Sequence, residues 1–397
     1  MKKEIVFIIA GEKSGDKLGA ELISSLKEKN SKLKFVGVGG SLMQACGVES
    51  LFDMEELSVM GLVEILPKLR RLLQLKNMLV NEILSCQPIC LITIDSPDFC
   101  FRVAKKVKKY KPNIKTIHYV APSLWAWRAN RGFKIAKYID CILTLFPFEP
   151  KVLKKYGISS KFVGHPISSI RPHSVDRVKA FRKKIGLGGS ELLLVLLPGS
   201  RVTEVKRLLP VFLKSIELLN IDSSCLRIIL PVPKAVVKSV KVLVEISNLD
   251  ITLYLEDDDN ESNFELIKSD IFSSADFALA ASGTVTLELA AYNTPMGVGY
   301  DVNWISRLMI KRLLKIDHIS LVNIISGKKI IPEFVGKEFK ADLIAAEVNS
   351  LINDVALRAG QKKELSEVMN ILDTIDGTVP EKAGDTVHHL LKEWCLT

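Results

Sequence analysis

An α/β protein of two parallel-sheet halves facing each other across a cleft is the fold this sequence predicts, and three observations carry it. Short apolar runs alternate with amphipathic stretches along both halves of the chain, the pattern of βαβ units. Three of those runs end in small, backbone-exposing turns that open a helix: Gly11-Glu12-Lys13-Ser14-Gly15-Asp16, Pro198-Gly199-Ser200-Arg201 and Ser282-Gly283-Thr284. A stretch interrupted by glycine and proline, from Val163-Gly164-His165-Pro166 to Pro172, separates one series of elements from a second that starts afresh. A chain of 397 residues exceeds one ordinary core and suits two domains of roughly 150–200 residues. The expected division is 1–168, 169–375 and a C-terminal helix, 376–397, that crosses back onto the first domain.

In the first half the expected strands are Glu4–Ala10, Lys34–Val38, Ile89–Ile94, Thr116–Val120 and Cys141–Leu145, the last closing the series. A helix at Ser14–Lys29 begins at the glycine turn, and Ala121 to Arg128 reads as a turn leading into an aromatic-rich helix. In the second half a helix at Val175–Ile185 precedes a strand at Leu192–Leu197, and a helix then runs from the Pro-Gly-Ser-Arg turn to about Leu219. Strands follow at Leu226–Leu230, Thr252–Leu255 and Phe277–Ala280, then a helix to Tyr292 and two closing helices.

Residues 57–84 form a basic amphipathic segment. Leu62, Leu66, Leu69 and Leu73 share one helical face, with Lys68, Arg70, Arg71 and Lys76 interleaved. Such a helix can lie in a membrane interface or can cover a core with a solvated basic side, and the wheel alone leaves both open. Pro67 is expected to limit a continuous helix unless it occupies a first turn.

The composition narrows the class. Apolar residues make up 48% of the chain and the net charge is +10, with a pI near 9.1. That balance favours an anionic partner, whether nucleic acid, an anionic membrane or phosphorylated substrates. No helix-turn-helix, zinc-finger or RNA-recognition aromatic pattern accompanies it, so nucleic acid ranks low. Seven scattered cysteines without a Cys-x-x-Cys pair argue against a disulfide framework and structural zinc. The start of the chain reads as no signal peptide, and no apolar run of about 18 residues marks a membrane span.

The turns suggest the chemistry. Glycine lets a backbone approach a ligand closely, and the first N–H groups of a helix attract phosphate oxygens. Arg201 adds a forked cation beside Gly199 and Ser200, where a diphosphate could sit; its alternative is an ion pair with Glu204. Glu288, four residues beyond Thr284, is spaced to accept two ribose hydroxyls or to form a structural ion pair. Glu12, Ser14 and Asp16 could hold sugar hydroxyls, or Ser14 could simply cap the helix.

Asp95 and Asp98 follow an apolar strand, at the sheet edge that faces the ligand crevice in open α/β folds. One of them can take a proton from an attacking hydroxyl, while Asp98 could instead cap the next helix. His118, Trp125 and Trp127 could line an acyl or sugar pocket or only seal the core. No His, Asp or Glu group has convincing metal spacing, so the expected site uses neither metal nor cofactor.

At these residues the sequence resembles the lipid-A-disaccharide synthase family, over nearly the whole chain. The matching pieces are Ala10-Gly11-Glu12, Ser14-Gly15-Asp16, Phe35-Val36-Gly37-Val38, Met54-Glu55-Glu56-Leu57, Ile94-Asp95, Pro97-Asp98-Phe99 and His118-Tyr119-Val120. Trp125-Ala126-Trp127-Arg128, Pro147-Phe148-Glu149, Gly164-His165-Pro166, Leu197-Pro198-Gly199-Ser200-Arg201 and Ala281-Ser282-Gly283-Thr284 complete the series. Ala121 departs from it, standing where serine is often found.

The resemblance implies a GT-B glycosyltransferase of two Rossmann-like domains, at the cytoplasmic face of the inner membrane of a Gram-negative bacterium. It implies UDP-2,3-diacylglucosamine as donor and 2,3-diacylglucosamine 1-phosphate (lipid X) as acceptor. Asp95 matches the family's favoured base and Arg201 its diphosphate-binding arginine, while Ser282, Gly283, Thr284 and Glu288 fall where related enzymes bind UDP. Acylated substrates favour membrane docking for the 57–84 segment. Two rivals remain at this point, a UDP-sugar 2-epimerase and a non-catalytic lipid- or nucleotide-binding protein; oligomeric state stays open.

Overall fold

The computed structural model describes residues 4–57, 62–125, 129–189, 191–256, 261–301, 318–373 and 377–396, with the side chains of 62–68, 129, 223, 261, 262, 395 and 396 left out. The chain divides into two units, Met1–His165 with Thr374–Thr397, and Pro166–Asp373.

In the first unit β1 (Ile5–Ala10), β2 (Lys34–Val38), β3 (Glu49–Ser50), β4 (Cys90–Ile94), β5 (Lys115–Tyr119), β6 (Cys141–Thr144) and β7 (Ser160–Phe162) form one sheet in the order β3-β2-β1-β4-β5-β6-β7. Every pairing is parallel. A parallel sheet covered on both faces demands continuous apolar strands, and Val6 to Ala10 and Cys90 to Ile94 are buried without a break. The helices are α1 (Lys13–Lys29), α2 (Ser41–Ala45), α3 (Leu62–Cys86), α4 (Pro97–Tyr110), α5 (Gly132–Ile135) and α6 (Glu149–Lys154). α1 buries Leu18, Leu22, Ile23 and Leu26, the helical spacing of a core-facing stripe. The C-terminal helix, Val379–Leu396, lies against α1, where Lys29 meets Asp385 at 2.7 Å.

Three details differ from the sequence expectation. The sheet does not close at β6, because β7 adds a short edge strand, as β3 does at the other side. α3 runs unbroken through Pro67. The proline removes one hydrogen bond early in a long helix, whose burial of Leu75, Leu79, Val80 and Ile83 outweighs that loss of about 3 kcal/mol. Val120 leaves the strand with φ 78°, so β5 ends at Tyr119.

The second unit repeats the plan. Its strands β8 (Leu192–Leu197), β9 (Leu226–Val232), β10 (Ile251–Leu255), β11 (Phe277–Ala281), β12 (Met296–Tyr300) and β13 (Glu333–Val335) pair in parallel in the order β10-β9-β8-β11-β12-β13. Helices α7 (Val175–Lys184), α8 (Val202–Glu217), α9 (Val237–Glu245), α10 (Glu261–Ser274) and α11 (Val285–Ala291) connect them. β12 and β13 are additions to the strands expected from sequence. Among the described residues beyond β13 there are three helices rather than two, Ala341–Asn353, Val355–Leu372 and Val379–Leu396.

Candidate active site

Each sheet reverses its strand order between two central strands, β1 and β4 in the first unit and β8 and β11 in the second. The loops leaving such a pair diverge and open a crevice at the carboxyl edge, where α/β folds bind ligands. All three turns singled out in the sequence, and the Asp95 loop, lie at these reversal points.

In the first unit the loops after β1 and β4 touch. A Cβ on Gly11 would stand 2.5 Å from Ser96 Oγ, so no larger residue fits. The Ser14 hydroxyl donates to Asp95 Oδ2 at 3.4 Å, the Ser96 amide donates to Asp95 Oδ1 at 2.9 Å, and the Ser96 hydroxyl donates to Glu12 Oε1 at 3.4 Å. Asp95 (φ 52°) and Ser96 (φ 40°) are both left-handed, and Val120 at the neighbouring strand end is too. For residues with a Cβ such backbone costs roughly 1–3 kcal/mol each, and it concentrates where function over-determines it. α1 has Glu12 at its N-cap and no side-chain cap, so Ser14 serves Asp95 rather than the helix.

Two residues expected in this site are turned elsewhere. Asp16 is 4% exposed, and its carboxylate accepts the amides of Gly40 (2.8 Å), Leu42 (3.0 Å) and Met43 (3.1 Å), which ties α1 to the start of α2. Gly15, beside it, is buried. His118 is fully enclosed, with Nδ1 2.8 Å from Thr93 Oγ1 and its ring 4.5 Å from Phe101. Burial lowers its pKa to about 3, so it stays neutral and sits beneath the crevice rather than in it. Asp98 lies in the first turn of α4, largely exposed, and pairs with Arg131 at 2.5 Å. Trp127 lies outside the described residues.

Trp125 is half-buried and meets Phe148 edge-on at 5.5 Å; Phe146 stacks between Phe148 and His165. The turn bearing Phe146 and Phe148 hangs on Glu149, to which the sequence motif alone assigns no role. Glu149 is 3% exposed and accepts the amides of Leu145 (3.1 Å) and Phe146 (3.0 Å) on Oε2. Burial pushes its carboxyl up to about 7, against the two amide hydrogen bonds. Because the folded pKa lies above the unfolded value of 4.5, this group's stabilisation is whole below about 4.5 and is lost as pH rises through about 7. Urea titrations at pH 5 and pH 8 should therefore show a fall in unfolding free energy that Glu149→Gln reduces by about 3 kcal/mol, at 1.36 kcal/mol per unit. An unchanged difference in the variant would show that the acid is not neutralised by burial.

In the second unit Gly199 has φ 110°, a conformation reserved for glycine, and Arg201 takes the N-cap position of α8. The Arg201 side chain is 60% exposed, with Nη1 2.9 Å from Glu204 Oε1, and Ser200 is exposed. At the other loop a Cβ on Gly283 would meet nothing within 4 Å, and Thr284 is exposed. The Ser282 hydroxyl donates to the Ile319 carbonyl at 2.9 Å, which turns it away from a ligand. The Ile319 amide in turn donates to Glu333 at 3.2 Å, whose Oε1 also accepts the Ser320 amide (2.8 Å) and Asn323 Nδ2 (2.9 Å). Glu288, one turn into α11, pairs with Lys268 at 2.7 Å. The ion pairs weighed from sequence for Arg201 and Glu288 are thus both present.

On α3, Leu69 and Leu73 are 42% and 40% exposed, one turn apart, beside exposed Arg70. Arg71 pairs with Glu56 at 2.6 Å. The Leu62 and Leu66 side chains lie outside the described residues. Among the described residues no helix is long and apolar enough to cross a membrane, and no group of three His, Cys, Asp or Glu is arranged to hold a metal ion.

Solved structures share this architecture at low identity. Sucrose-phosphate synthase from Thermosynechococcus elongatus superposes with a TM-score of 0.61 at 12% identity, covering 99% of each chain. UDP-GlcNAc 2-epimerase from Neisseria meningitidis bound to UDP-GlcNAc gives 0.56 at 12%, covering 98% of this chain and 99% of the other. Two Rossmann-like sheets, each with its turns at the strand reversal, define the class as the GT-B type of α/β protein. Sequence decides within that class. The family model for lipid-A-disaccharide synthetase matches residues 6–385. The lipid-A-disaccharide synthase of Ruegeria pomeroyi is 41% identical over 353 residues, covering 88% of this chain and 87% of that protein. That of Gluconobacter oxydans is 36% identical over 391 residues, covering 98% and 91%. The chain belongs to the lipid-A-disaccharide synthase family, and it is a glycosyltransferase of lipid A biosynthesis.

Proposed function

We propose that the chain transfers 2,3-diacylglucosamine from UDP-2,3-diacylglucosamine to the 6-hydroxyl of 2,3-diacylglucosamine 1-phosphate. The products are the β-1,6-linked tetraacyl disaccharide 1-phosphate and UDP. The observation that carries the reading is Asp95, a carboxylate held by Ser14 and the Ser96 amide on strained backbone at the β1/β4 reversal. In a single displacement with inversion, Asp95 accepts the acceptor's hydroxyl proton as the oxygen attacks the anomeric carbon and the UDP oxygen leaves on the opposite face. Glu12, whose carboxylate meets the Ser96 hydroxyl in the same loop pair, is assigned to a sugar hydroxyl.

The leaving diphosphate is assigned to Arg201 and the backbone of Gly199, Ser200, Gly283 and Thr284, with Glu288 on the ribose. No divalent cation or cofactor enters this scheme. The test is UDP release from the donor by purified protein, with and without lipid X and with and without a chelator. Release that ignores lipid X would remove the transferase assignment, and loss of activity in chelator would remove the metal-free one.

The same reading puts the protein at the cytoplasmic face of the inner membrane, peripherally bound through α3. Exposed Leu69 and Leu73 would enter the acyl boundary, with Leu62 and Leu66 on the same wheel face and Arg70 and Arg71 near lipid phosphates. Replacing Leu69 and Leu73 by serine should lower co-sedimentation with anionic vesicles, while transfer between short-chain soluble substrates persists. Equal vesicle binding would take the membrane role away from this helix.

A further inference from the structure

Lys268 is a residue that neither the sequence motifs nor the reaction scheme calls on, yet it holds Glu288, one of the residues assigned to the second unit's site. It projects from α10, and its Nζ lies 2.7 Å from Glu288 Oε2, 3.2 Å from Glu265 Oε2 and 5.7 Å from the centre of the Phe272 ring. The Lys268 side chain is 18% exposed and that of Glu288 26%, whereas Glu265 is 61% exposed. Burial works against the ammonium charge, and the carboxylates of Glu288 and Glu265 outweigh it, leaving the lysine pKa above its ordinary value. This is therefore a sheltered contact rather than a loose surface pair. Among the described residues no hydrogen bond reaches Glu288 Oε1.

We propose that Lys268 is a positioning residue for nucleotide recognition, fixing the Glu288 carboxylate through Oε2 so that Oε1 accepts the ribose hydroxyls of a uridine nucleotide. The inference rests on the reading of Glu288 as the ribose acceptor. A free glutamate side chain must be immobilised when a ligand binds, and each such ordering weakens affinity; a partner already holding one oxygen removes most of that cost. The ammonium has only donors, so it orients the carboxylate without competing with a hydroxyl for its other oxygen. The Phe272 ring faces the ammonium at 5.7 Å and adds a cation–π contact that helps to hold Lys268 in place.

The experiment is calorimetric titration of the full-length protein with UDP and with 2′-deoxy-UDP. The wild type should prefer UDP. Lys268→Met should weaken UDP about tenfold and 2′-deoxy-UDP little, so that the preference collapses. Glu288→Ala, which leaves no acceptor oxygen, should lose the same preference, and adding Lys268→Met to it should change nothing further. Lys268→Arg, which keeps a cation at that place, should retain most of the preference. Lys268→Gln removes the charge with a different side chain and is read the same way, so the test does not depend on one variant folding.

A neutral variant at 268 that weakens both ligands alike would mark Lys268 as structural only and overturn the proposal. So would a neutral variant at 268 that keeps the full preference while Glu288→Ala loses it; that outcome leaves the ribose role of Glu288 standing. If Glu288→Ala keeps the preference, the ribose assignment itself fails and the proposal falls with it.

Discussion

Asp95→Asn is expected to lower turnover by about 10²–10⁴-fold, the span a positioned general base contributes, while UDP affinity stays unchanged. Asparagine is the informative replacement. It tolerates left-handed backbone better than other residues with a Cβ, so the φ of 52° at this position is kept. Its side-chain oxygen can still accept the Ser96 amide that now reaches Asp95 Oδ1 at 2.9 Å. What it cannot do is take a proton. Asp98→Asn is the paired control: this carboxylate is exposed and held by Arg131, an arrangement worth at most about 1 kcal/mol to stability. Turnover should change little there. Single-turnover rates on both variants check the assignment, and activity retained in Asp95→Asn but lost in Asp98→Asn would move the base to Asp98.

Arg201→Ala should weaken UDP binding by about 10–100-fold, the equivalent of one hydrogen bond to a charged partner, and should lower turnover as well. Lysine at 201 should recover only part of this, since a point charge does not reproduce a planar fork. Arg201 pairs with Glu204, 2.9 Å away and within the same helical turn. A guanidinium with five N–H donors can hold that carboxylate and a phosphate oxygen together. Because the side chain is well exposed, the loss should shrink as ionic strength rises. UDP titrations at two salt concentrations measure both effects, and an unchanged dissociation constant would place the diphosphate away from this turn.

The strands most sharply legible in the sequence are the central ones. Leu192–Leu197 is legible to the residue, and Ile5–Ala10 and Cys90–Ile94 to within one, because a strand buried on both faces must be apolar throughout. The strands that escape sequence reading are edge or near-edge ones. Glu49–Ser50 has two residues, Ser160–Phe162 and Glu333–Val335 have three, and Met296–Tyr300 has glycine at alternate positions. None offers enough apolar length to stand out from a loop. Pro67 shows the same limit from the other side, since a rule about helix interiors yields to packing further along α3.

The site is legible in its residue types more than in their roles. The turns at Gly11, Gly199 and Ser282 are visible because glycine and serine directly after an apolar run end the strand in a tight turn, and positive φ at Gly199 is written into its identity. Asp95 is visible only as one of two acids. The left-handed backbone at Asp95, Ser96 and Val120 is not legible in the sequence, since aspartate only tolerates it better than most residues and serine and valine do not announce it.

Taken alone, the order of residues determined the α/β class, the central strands, the helix-opening turns and the family. Each follows from local chemistry: apolar continuity, missing side chains at glycine, and a motif order that chance does not assemble. Folding decided what each acid does. Asp16 binds three amides of a neighbouring loop, Asp98 an arginine, Glu288 a lysine from another helix and Glu149 two amides in a dry turn, while Asp95 is left at the strand reversal. A carboxylate's work depends on which donors surround it and how far water is excluded, and those neighbours arrive from distant parts of the chain only when the sheets form.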